Sequence, residues 1–146
     1  MGAGTLSSEF KALHDQWGKA IANKDWAWLE RHFAEDFLGT AQPWPGLSVN
    51  RAQMLELDRK IETMDVEWLR VDAQRYGNTV LVSGVVRYAN EVFEEGTTIA
   101  EGMPTGGQLS ALVNGKMVLY IGAWRHNGQN WQIYDHHMVG IVDAIP

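Results

Sequence analysis

Three features of the sequence predict an α+β fold, in which helices cover one side of a strongly curved, mostly antiparallel sheet. Apolar residues recur at helical spacing three times within positions 1–61, whereas from Val66 they recur at every second position. Two long apolar runs near the end of the chain flank Asn127-Gly128, a residue pair that strongly favours a β-hairpin. We therefore expect three N-terminal helices followed by four long strands.

The first predicted helix begins at a hydroxyl cap, Thr5, Ser7 or Ser8, and ends near Asn23. Its apolar face comprises Phe10, Leu13, Trp17, Ala20 and Ile21. His14 lies within this face, so we expect its imidazole to point into the space beneath the helices.

Asp25 and Asn50 are the predicted N-caps of the second and third helices, and Gln53 is placed to complete a reciprocal cap with Asn50. Both helices carry an apolar face. Its members are Trp26, Leu29 and Phe33 in the second helix and Met54, Leu57 and Ile61 in the third.

A short strand at residues 37–41 is predicted between these helices, and it is followed by the stiff turn Pro43-Trp44-Pro45-Gly46, which presents Trp44. Long strands are predicted over residues 66–76 and 79–93 and in both arms of a hairpin within 116–142. Gly84 interrupts the second of these strands and indicates a bulge or bend. Residues 94–115 are glycine-rich with weak periodicity, so they are predicted to form a long loop of the kind that covers binding sites.

Composition excludes several classes of function. The 146 residues include 12 basic and 18 acidic side chains, a net charge of −6, so neither nucleic acid nor an anionic membrane surface is an expected partner. The absence of cysteine excludes disulfides and thiolate chemistry and is compatible with the cytoplasm. We expect neither a secretory signal nor a bilayer-spanning segment. We expect one domain over residues 1–146, located in the cytoplasm.

The register of the terminal hairpin decides which polar residues face the interior. A two-residue turn at Asn127-Gly128 would place Asp135 and His137 on the face of Tyr120. A three-residue turn with a glycine bulge would shift the register by one residue, so that Tyr134, His136 and Met138 share the face of Tyr120, Gly122 and Trp124. Both alternatives stay open on the residues alone.

Four local patterns together resemble the NTF2-like superfamily, in particular its SnoaL-like and ketosteroid-isomerase-like branch. They are Lys24-Asp25, Ala34-Glu35-Asp36-Phe37, the Pro-Trp-Pro-Gly loop and the terminal Trp124-x3-Gly128-x2-Trp131-x5-His137. The resemblance covers nearly the whole chain. It implies a cone of three helices over a bent, mixed sheet, a pocket inside the cone and a homodimer or larger homo-oligomer formed through the sheet.

The same resemblance favours the second hairpin register and hence His136 in the pocket. It also shows what this chain lacks, because the family's helix-one tyrosine falls on Trp17 and its general-base aspartate on Ala41, while its second oxyanion group falls near Tyr120. Without that aspartate, steroid-isomerase chemistry is not supported. Members include isomerases, cyclases, dehydratases and binding proteins, so the fold does not select the activity.

His136, Tyr120 and His14 are the predicted catalytic residues, since an imidazole titrates near neutrality and a phenol can hold an oxyanion. The predicted substrate-binding residues are Trp17, Trp44, Tyr88, Trp124, Tyr134 and Met138. Tyr88 is preferred over Arg87 because its side of the strand is more uniformly apolar, which leaves Arg87 at an edge or interface beside an acid. The alternative for each of these histidines and tryptophans is a purely structural role in the hydrophobic core.

No metal site is expected, because His136 and His137 are adjacent on a strand and point in opposite directions. The sequence therefore predicts a cofactor-free enzyme of the lyase or isomerase kind, which uses His/Tyr acid-base catalysis on a small apolar, aromatic or polycyclic substrate. The alternative is a non-catalytic domain that binds a small molecule or serves in oligomerisation.

Overall fold

The computed structural model describes residues 3–143 and contains, within them, four helices and six strands. In chain order the elements are α1 Ala3–Ala22, α2 Trp26–His32, β1 Phe33–Ala41, β2 Val49–Asn50, α3 Arg51–Arg59, β3 Ile61–Tyr76, β4 Thr79–Phe93, α4 Gly106–Val113, β5 Met117–His126 and β6 Trp131–Val142. The α+β prediction is confirmed.

The six strands form one mixed sheet in the order β2-β1-β6-β5-β4-β3. Every neighbouring pair is antiparallel except β1 and β6, which run parallel. The sequence prediction of a mostly antiparallel sheet is therefore correct. The long strands β3 to β6 lie side by side, so that their inward residues form one continuous concave surface that the helices cover.

The predicted caps of α2 and α3 are confirmed. The carboxylate of Asp25 accepts a hydrogen bond from the backbone N–H of Trp28 at 3.2 Å. Asn50 and Gln53 form the reciprocal cap of α3, each side chain accepting from the other residue's backbone N–H at 2.9 and 2.8 Å. Such a cap stabilises a helix by about 1 kcal/mol, and here it fixes the start of the helix that carries part of the site.

Several predicted boundaries are wrong by a few residues. Phe33 begins β1 instead of ending α2, and Ile61 begins β3 instead of ending α3. Both side chains remain buried, because each stays on the interior side as the chain changes from helix to strand. The first helix already includes Ala3, so the serine and threonine proposed as its caps lie inside it.

The segment predicted as one long loop contains α4. Thr105 caps this helix: its hydroxyl accepts from the backbone N–H of Gln108 at 3.2 Å, and the Gln108 side chain accepts from the backbone N–H of Thr105 at 2.8 Å. Glycines at its first two positions lowered the helical signal in the sequence. Residues 94–105 remain largely irregular, and they lie beside the opening of the cone.

The terminal hairpin is closed by the four residues 127–130, so both predicted turn lengths are wrong. A register shift follows, because Trp124 pairs with Ile133 whereas Ala123 pairs with Asp135. Tyr134 is thereby left out of the alternation. Beyond this bulge Gly122 pairs with His136, which therefore lies on the concave side. The second predicted register also placed His136 there, but it attributed the shift to a three-residue turn instead of a bulge within β6.

Aromatic rings fill the closed end of the cone beneath α1. His14 packs edge-on against Trp68 at 4.6 Å between ring centroids, and Trp124 contacts both His14 and Trp17 at 5.3 and 5.9 Å. Trp124 and Phe10 are completely buried. This cluster closes one end of the cone, whereas the cavity lies at the opposite end.

Gly84 brings β4 close to the Trp68 side chain of β3. A Cβ atom at position 84 would lie 2.6 Å from Cζ3 of Trp68, a distance that real side chains do not reach. The interruption that the sequence shows at Gly84 is thus a close approach between a strand backbone and a large ring.

Gly84→Ala is expected to lower the free energy of unfolding by about 1–3 kcal/mol, because the buried Trp68 ring must move to admit the methyl group. Gly107→Ala is the matched control, since a Cβ at position 107 meets nothing within 4 Å and alanine favours the helix. Urea unfolding of both variants measures the difference. Equal stabilities for the two variants would contradict this packing.

Candidate active site

The concave side of the sheet encloses a cavity of about 160 Å³ at the open end of the cone. Its wall is formed by residues of the strands β1 to β6, by the inner faces of α1, α3 and α4, and by the two loops 42–48 and 94–105. Most lining side chains are apolar or aromatic, among them Phe33, Phe37, Val49, Met54, Leu109 and Met138. An apolar wall excludes water and strengthens the interactions of any polar group that faces it.

Two tyrosines on neighbouring strands meet inside this cavity. The hydroxyls of Tyr88 on β4 and Tyr120 on β5 are hydrogen-bonded at 3.1 Å. Burial raises the pKa of both phenols above the usual range, so both remain protonated at neutral pH. One hydroxyl of the pair donates to the other, which leaves the second proton free to donate to an oxygen of a ligand.

Two carboxyl groups line the same cavity. Asp58 on α3 is 7% exposed and Glu91 on β4 is 5% exposed. Burial, and then the neighbouring charge of Glu91, raise the pKa of Asp58 to about 8. Burial also raises the pKa of Glu91, although the hydrogen bond that it accepts from the Ser110 hydroxyl at 2.9 Å works in the opposite direction. The pair therefore holds a proton at neutral pH, which makes it able to give or take one.

The sequence interpretation missed both carboxyls. Asp58 follows Met54 by four residues and Leu57 by one, so it lies on the apolar face of α3. This spacing indicates a carboxyl that points into the interior. Glu91 was hidden by a bulge at Asn90, whose backbone has a φ of 55°. The extra residue reverses the alternation of β4, so that Glu91 points to the same side as Tyr88.

Asn90 suits this bulge because asparagine tolerates the left-handed conformation better than other residues with side chains. Its amide donates to the carboxylate of Asp65 at 2.7 Å, and its backbone carbonyl accepts from the Thr63 hydroxyl at 2.7 Å. Asn114 then holds the backbone of Glu91 with two hydrogen bonds of 2.9 Å. The backbone that aims Glu91 into the cavity is thus fixed on both sides.

His136 on β6 lines the cavity next to Tyr120. The two rings stack at 4.4 Å between centroids with an interplanar angle of 18°, and the Trp17 ring meets His136 edge-on at 5.2 Å. Burial, together with the nearby His14 and His137, lowers the pKa of His136 to about 3, so the imidazole is neutral at physiological pH. Its Nδ1 atom is buried and has no hydrogen-bond partner among residues 3–143.

Five other predicted residues can be placed by geometry. Trp17, Trp44, Tyr88, Tyr120 and Met138 all line the cavity, with Trp44 projecting from the Pro-Trp-Pro-Gly loop at its mouth. Their roles in binding or catalysis stay predictions. Ala41, where the resemblance would place a general base, also lines the cavity and offers no carboxylate there.

Three predicted residues do not line the cavity. His14 is buried in the aromatic cluster, where its Nδ1 lies 2.7 Å from the backbone carbonyl of Phe10. The neighbouring Trp17 lines the cavity, and His14 packs behind it. Trp124 is fully buried at the closed end. Tyr134 lies in the bulge of β6, where its hydroxyl bonds to that of Thr79 at 2.7 Å and the Arg125 guanidinium covers its ring.

The polar residues on the opposite side of β6 form separate contacts. His137 lies 2.5 Å from the Thr40 hydroxyl through Nδ1 and 3.0 Å from the carboxylate of Asp135 through Nε2. Arg87 on β4 pairs with Glu67 at 3.1 Å, at an exposed edge as expected. Thr40 borders the cavity, whereas His137, Asp135, Arg87 and Glu67 do not line it.

Within residues 3–143, no three or more His, Asp or Glu side chains are grouped so that they could hold a metal ion. None of the helices in this range combines the length and the apolar composition needed to cross a bilayer. The residues that line the cavity thus carry two phenols, two carboxyls, the neutral imidazole of His136, the Thr40 hydroxyl and the indole N–H groups of Trp17 and Trp44.

The architecture matches known structures over its whole length. An NTF2-like superfamily protein from Salmonella enterica serovar Typhimurium superposes with a TM-score of 0.65 over 95% of this chain and 93% of that chain, at 12% sequence identity. The chain has the NTF2-like fold. The cavity described above is therefore the interior of an NTF2-like cone.

Two further structures are similar. A "putative dehydratase" of the NTF2-like family from Streptomyces avermitilis has a TM-score of 0.65 and 14% identity, covering 97% of this chain and 99% of that chain. A "putative Ca/calmodulin-dependent kinase II association domain" from Exiguobacterium sibiricum has a TM-score of 0.63 and 11% identity, covering 99% and 98%. No family model and no curated protein matches the chain by sequence.

Asp58→Asn is expected to weaken the pH dependence of folding above pH 6.5. The pKa of this carboxyl is higher in the folded chain than the unfolded value of 3.8, so the folded state binds the proton more tightly and the free energy of unfolding falls as the pH rises toward 8. For a folded pKa of about 8, the fall between pH 6.5 and 8 is about 1–2 kcal/mol. Urea unfolding at several pH values measures it.

The comparison of Asp58→Asn with the wild type separates the carboxyl from the histidines. The lowered pKa values of His14 and His136 make the unfolded state bind more protons, so their contribution to stability rises with pH and levels off only about one pH unit above the unfolded pKa of 6.5. This contribution is common to both proteins and cancels in their difference. Asp72→Asn removes an exposed carboxylate and is expected to keep the wild-type profile. Identical slopes for wild type and Asp58→Asn would show that Asp58 is not the titrating group.

Proposed function

We propose that this protein is an acid-base catalyst of the lyase or isomerase kind, working without a cofactor on a small, largely apolar substrate in the cone. The observation that carries the proposal is the meeting of two phenols and two buried carboxyls in one apolar cavity. Buried carboxyls with raised pKa values are costly to a fold, and they concentrate at sites that move protons. A purely structural cavity would be filled with apolar side chains.

The volume favours a substrate with a single ring. An apolar protein cavity of about 150 Å³ is large enough for benzene, and the volume here is about 160 Å³. A polycyclic ligand, one of the two kinds that the sequence suggested, would need the loops 42–48 and 94–105 to move apart. The proposed substrate therefore carries one ring and a small oxygen-bearing group.

The Tyr88–Tyr120 pair is the proposed site for that oxygen. A hydroxyl held at the end of a 3.1 Å hydrogen bond in an apolar cavity is a fixed donor, so it stabilises negative charge that develops on a carbonyl oxygen during proton removal. Tyr120 is also covered by the His136 ring on one face, which holds its hydroxyl in place.

The Asp58/Glu91 pair is the proposed proton acceptor and donor. The ionised carboxyl removes a proton from the carbon beside the carbonyl, and the electron pair moves to the oxygen held by the tyrosines. Return of the proton to a different carbon completes an isomerisation, whereas loss of a leaving group from the neighbouring carbon completes an elimination. With its pKa of about 8, Asp58 is well matched to transfer in both directions near neutral pH.

His136 takes a different role from the one that the sequence suggested. A pKa of about 3 makes its imidazole a weak base, so it is proposed as a neutral wall that orients Tyr120 and contacts the ring of the substrate. His14 is proposed as part of the aromatic core that supports Trp17. The similarity to a protein described as a dehydratase agrees with an elimination, one of the two reaction kinds proposed.

A second proposal concerns assembly through the convex side of the sheet. Leu81, Ile121 and Val139 lie on this side and are 41%, 42% and 40% exposed, which is high for apolar residues in the middle of a sheet. We infer that this surface pairs with a second copy of the chain. The likeness to a protein described as an association domain supports the inference.

Ile121→Lys is expected to shift the protein from dimer to monomer, because a lysine would leave a charge buried between the two copies. Leu112→Lys on α4 is the control, since its exposed side chain lies away from the sheet and should leave the assembly unchanged. Sedimentation velocity distinguishes the species. A monomeric wild-type protein would refute the proposed assembly.

Proton removal can be tested with acetophenone, a ketone with one ring. In D2O the wild-type protein is expected to accelerate exchange of the methyl protons above the buffer rate, as followed by ¹H NMR. Asp58→Asn and Glu91→Gln are expected to reduce the acceleration by about 10²–10⁴-fold, the usual contribution of general acid-base catalysis. Tyr120→Phe should reduce it as well, because the oxyanion loses a donor.

Asp72→Asn is the control for these variants, since its carboxylate is exposed and remote from the cavity, and it should retain the wild-type rate. Binding is followed in the same samples by the chemical shifts of the acetophenone ring. If the ketone binds and the exchange rate equals that of buffer, the protein is a binding domain and the catalytic proposal is refuted.

A further inference from the structure

The charges that face the cavity are unbalanced. Asp58 and Glu91 are both acidic, and no lysine or arginine among residues 3–143 lines the cavity. The one imidazole in the wall, His136, is neutral. Buried carboxylates normally pair with a cation, because taking an isolated charge out of water is expensive. Here that cation does not come from the wall of the cavity.

Asp58 is the less satisfied of the two acids. Its carboxyl group is 7% exposed, and its pKa is raised by burial and by the charge of Glu91, with no hydrogen bond among the causes. Glu91 accepts one hydrogen bond, from the Ser110 hydroxyl at 2.9 Å. Both carboxyls therefore keep acceptor positions open toward the cavity, and these positions suit a donor on a ligand.

The aromatic residues around the acids suit a cation as well. Trp17, Trp44, Tyr88 and Tyr120 all belong to the wall of the cavity. The face of an aromatic ring carries partial negative charge and attracts ammonium groups, most strongly where water is excluded. Carboxylates together with several aromatic rings thus make a site that favours an amine over an alcohol or an acid of the same shape.

We propose that the ligand of this cavity is a protonated amine with a single ring, and that its ammonium group is held by Asp58 and Glu91 between the aromatic side chains. This inference rests on one part of the proposed function, namely that the cavity binds a ligand with a single ring. One carboxylate balances the ammonium charge, and the other remains available for proton transfer. Carboxylic acids of similar size are rejected, because their charge would face two acids.

Binding of the amine is coupled to proton release. The groups that face Asp58 from the surrounding elements are Glu91 and Tyr88 on β4, Tyr120 on β5 and His136 on β6. None of these is positively charged at neutral pH. An incoming ammonium group favours the ionised form of Asp58, so up to one proton leaves for each amine that binds.

Three probes that share one benzene ring separate the charge from the shape: benzylamine, benzyl alcohol and benzoate. Isothermal titration calorimetry of the wild-type protein at pH 7 is expected to show benzylamine binding at least tenfold more tightly than benzyl alcohol, with no binding of benzoate. Titration in two buffers with different ionisation enthalpies is expected to show proton release with benzylamine and none with benzyl alcohol.

Asp58→Asn and Glu91→Gln are expected to lower the affinity for benzylamine at least tenfold while leaving that for benzyl alcohol unchanged. Asp72→Asn is the matched control and should bind all three probes as the wild type does. Should a cavity variant fail to fold, the comparison of the three probes on the wild-type protein decides the question alone. Equal or tighter binding of benzyl alcohol than of benzylamine overturns the inference.

The outcomes separate this inference from the proposed function. If acetophenone exchange is accelerated and benzylamine has no advantage, the amine inference falls and the catalytic proposal stands. If benzylamine is preferred and no exchange is seen, the cavity is an amine-binding site and the catalytic proposal falls. If none of the three probes binds, the amine inference falls, and the acetophenone exchange decides the catalytic proposal by itself.

Discussion

The structure depends on an uneven covering of one concave sheet surface. At one end α1 closes the surface with tightly packed rings, so that Trp124 and Phe10 are completely buried. At the other end α3, α4 and two loops leave a cavity of about 160 Å³. Since the same strands continue from one end to the other, the rigid aromatic end fixes the positions of side chains at the open end. Tyr120 and His136 lie where these two regions meet.

Polar groups in the open end are held by backbone features more than by side-chain pairing. The bulge at Asn90 turns Glu91 inward, and the bulge at Tyr134 returns His136 to the concave side. The reciprocal cap at Asn50 fixes the start of α3 and thereby the helix position of Asp58. Each of these features orients one polar side chain toward the cavity. Bulges and strained backbone positions commonly have this role next to functional sites.

The sequence was sufficient for the fold and for part of the site. Periodicity identified the helices and long strands, cap residues marked α2 and α3, and the parity of β4 selected Tyr88 over Arg87. The glycines at the start of α4 hid that helix, and two side-chain orientations were missed because one bulge reverses every later side chain in a strand. Glu91 and Tyr134 are the two cases, one turned in and the other turned out. Asp58 was visible at helical spacing, yet an acid within an apolar stripe was not treated as functional.

The proposed function depends most directly on two buried carboxyl groups, Asp58 and Glu91, whose pKa values are raised inside the cone. Carbon-detected NMR of protein labelled with ¹³C at aspartate and glutamate carboxyl carbons would report each group over pH 4–10. We expect Asp58 to titrate near pH 8 and a one-ring ligand to shift both its signal and that of Glu91. Titration of both carboxyls near pH 4, with no response to ligand, would contradict it.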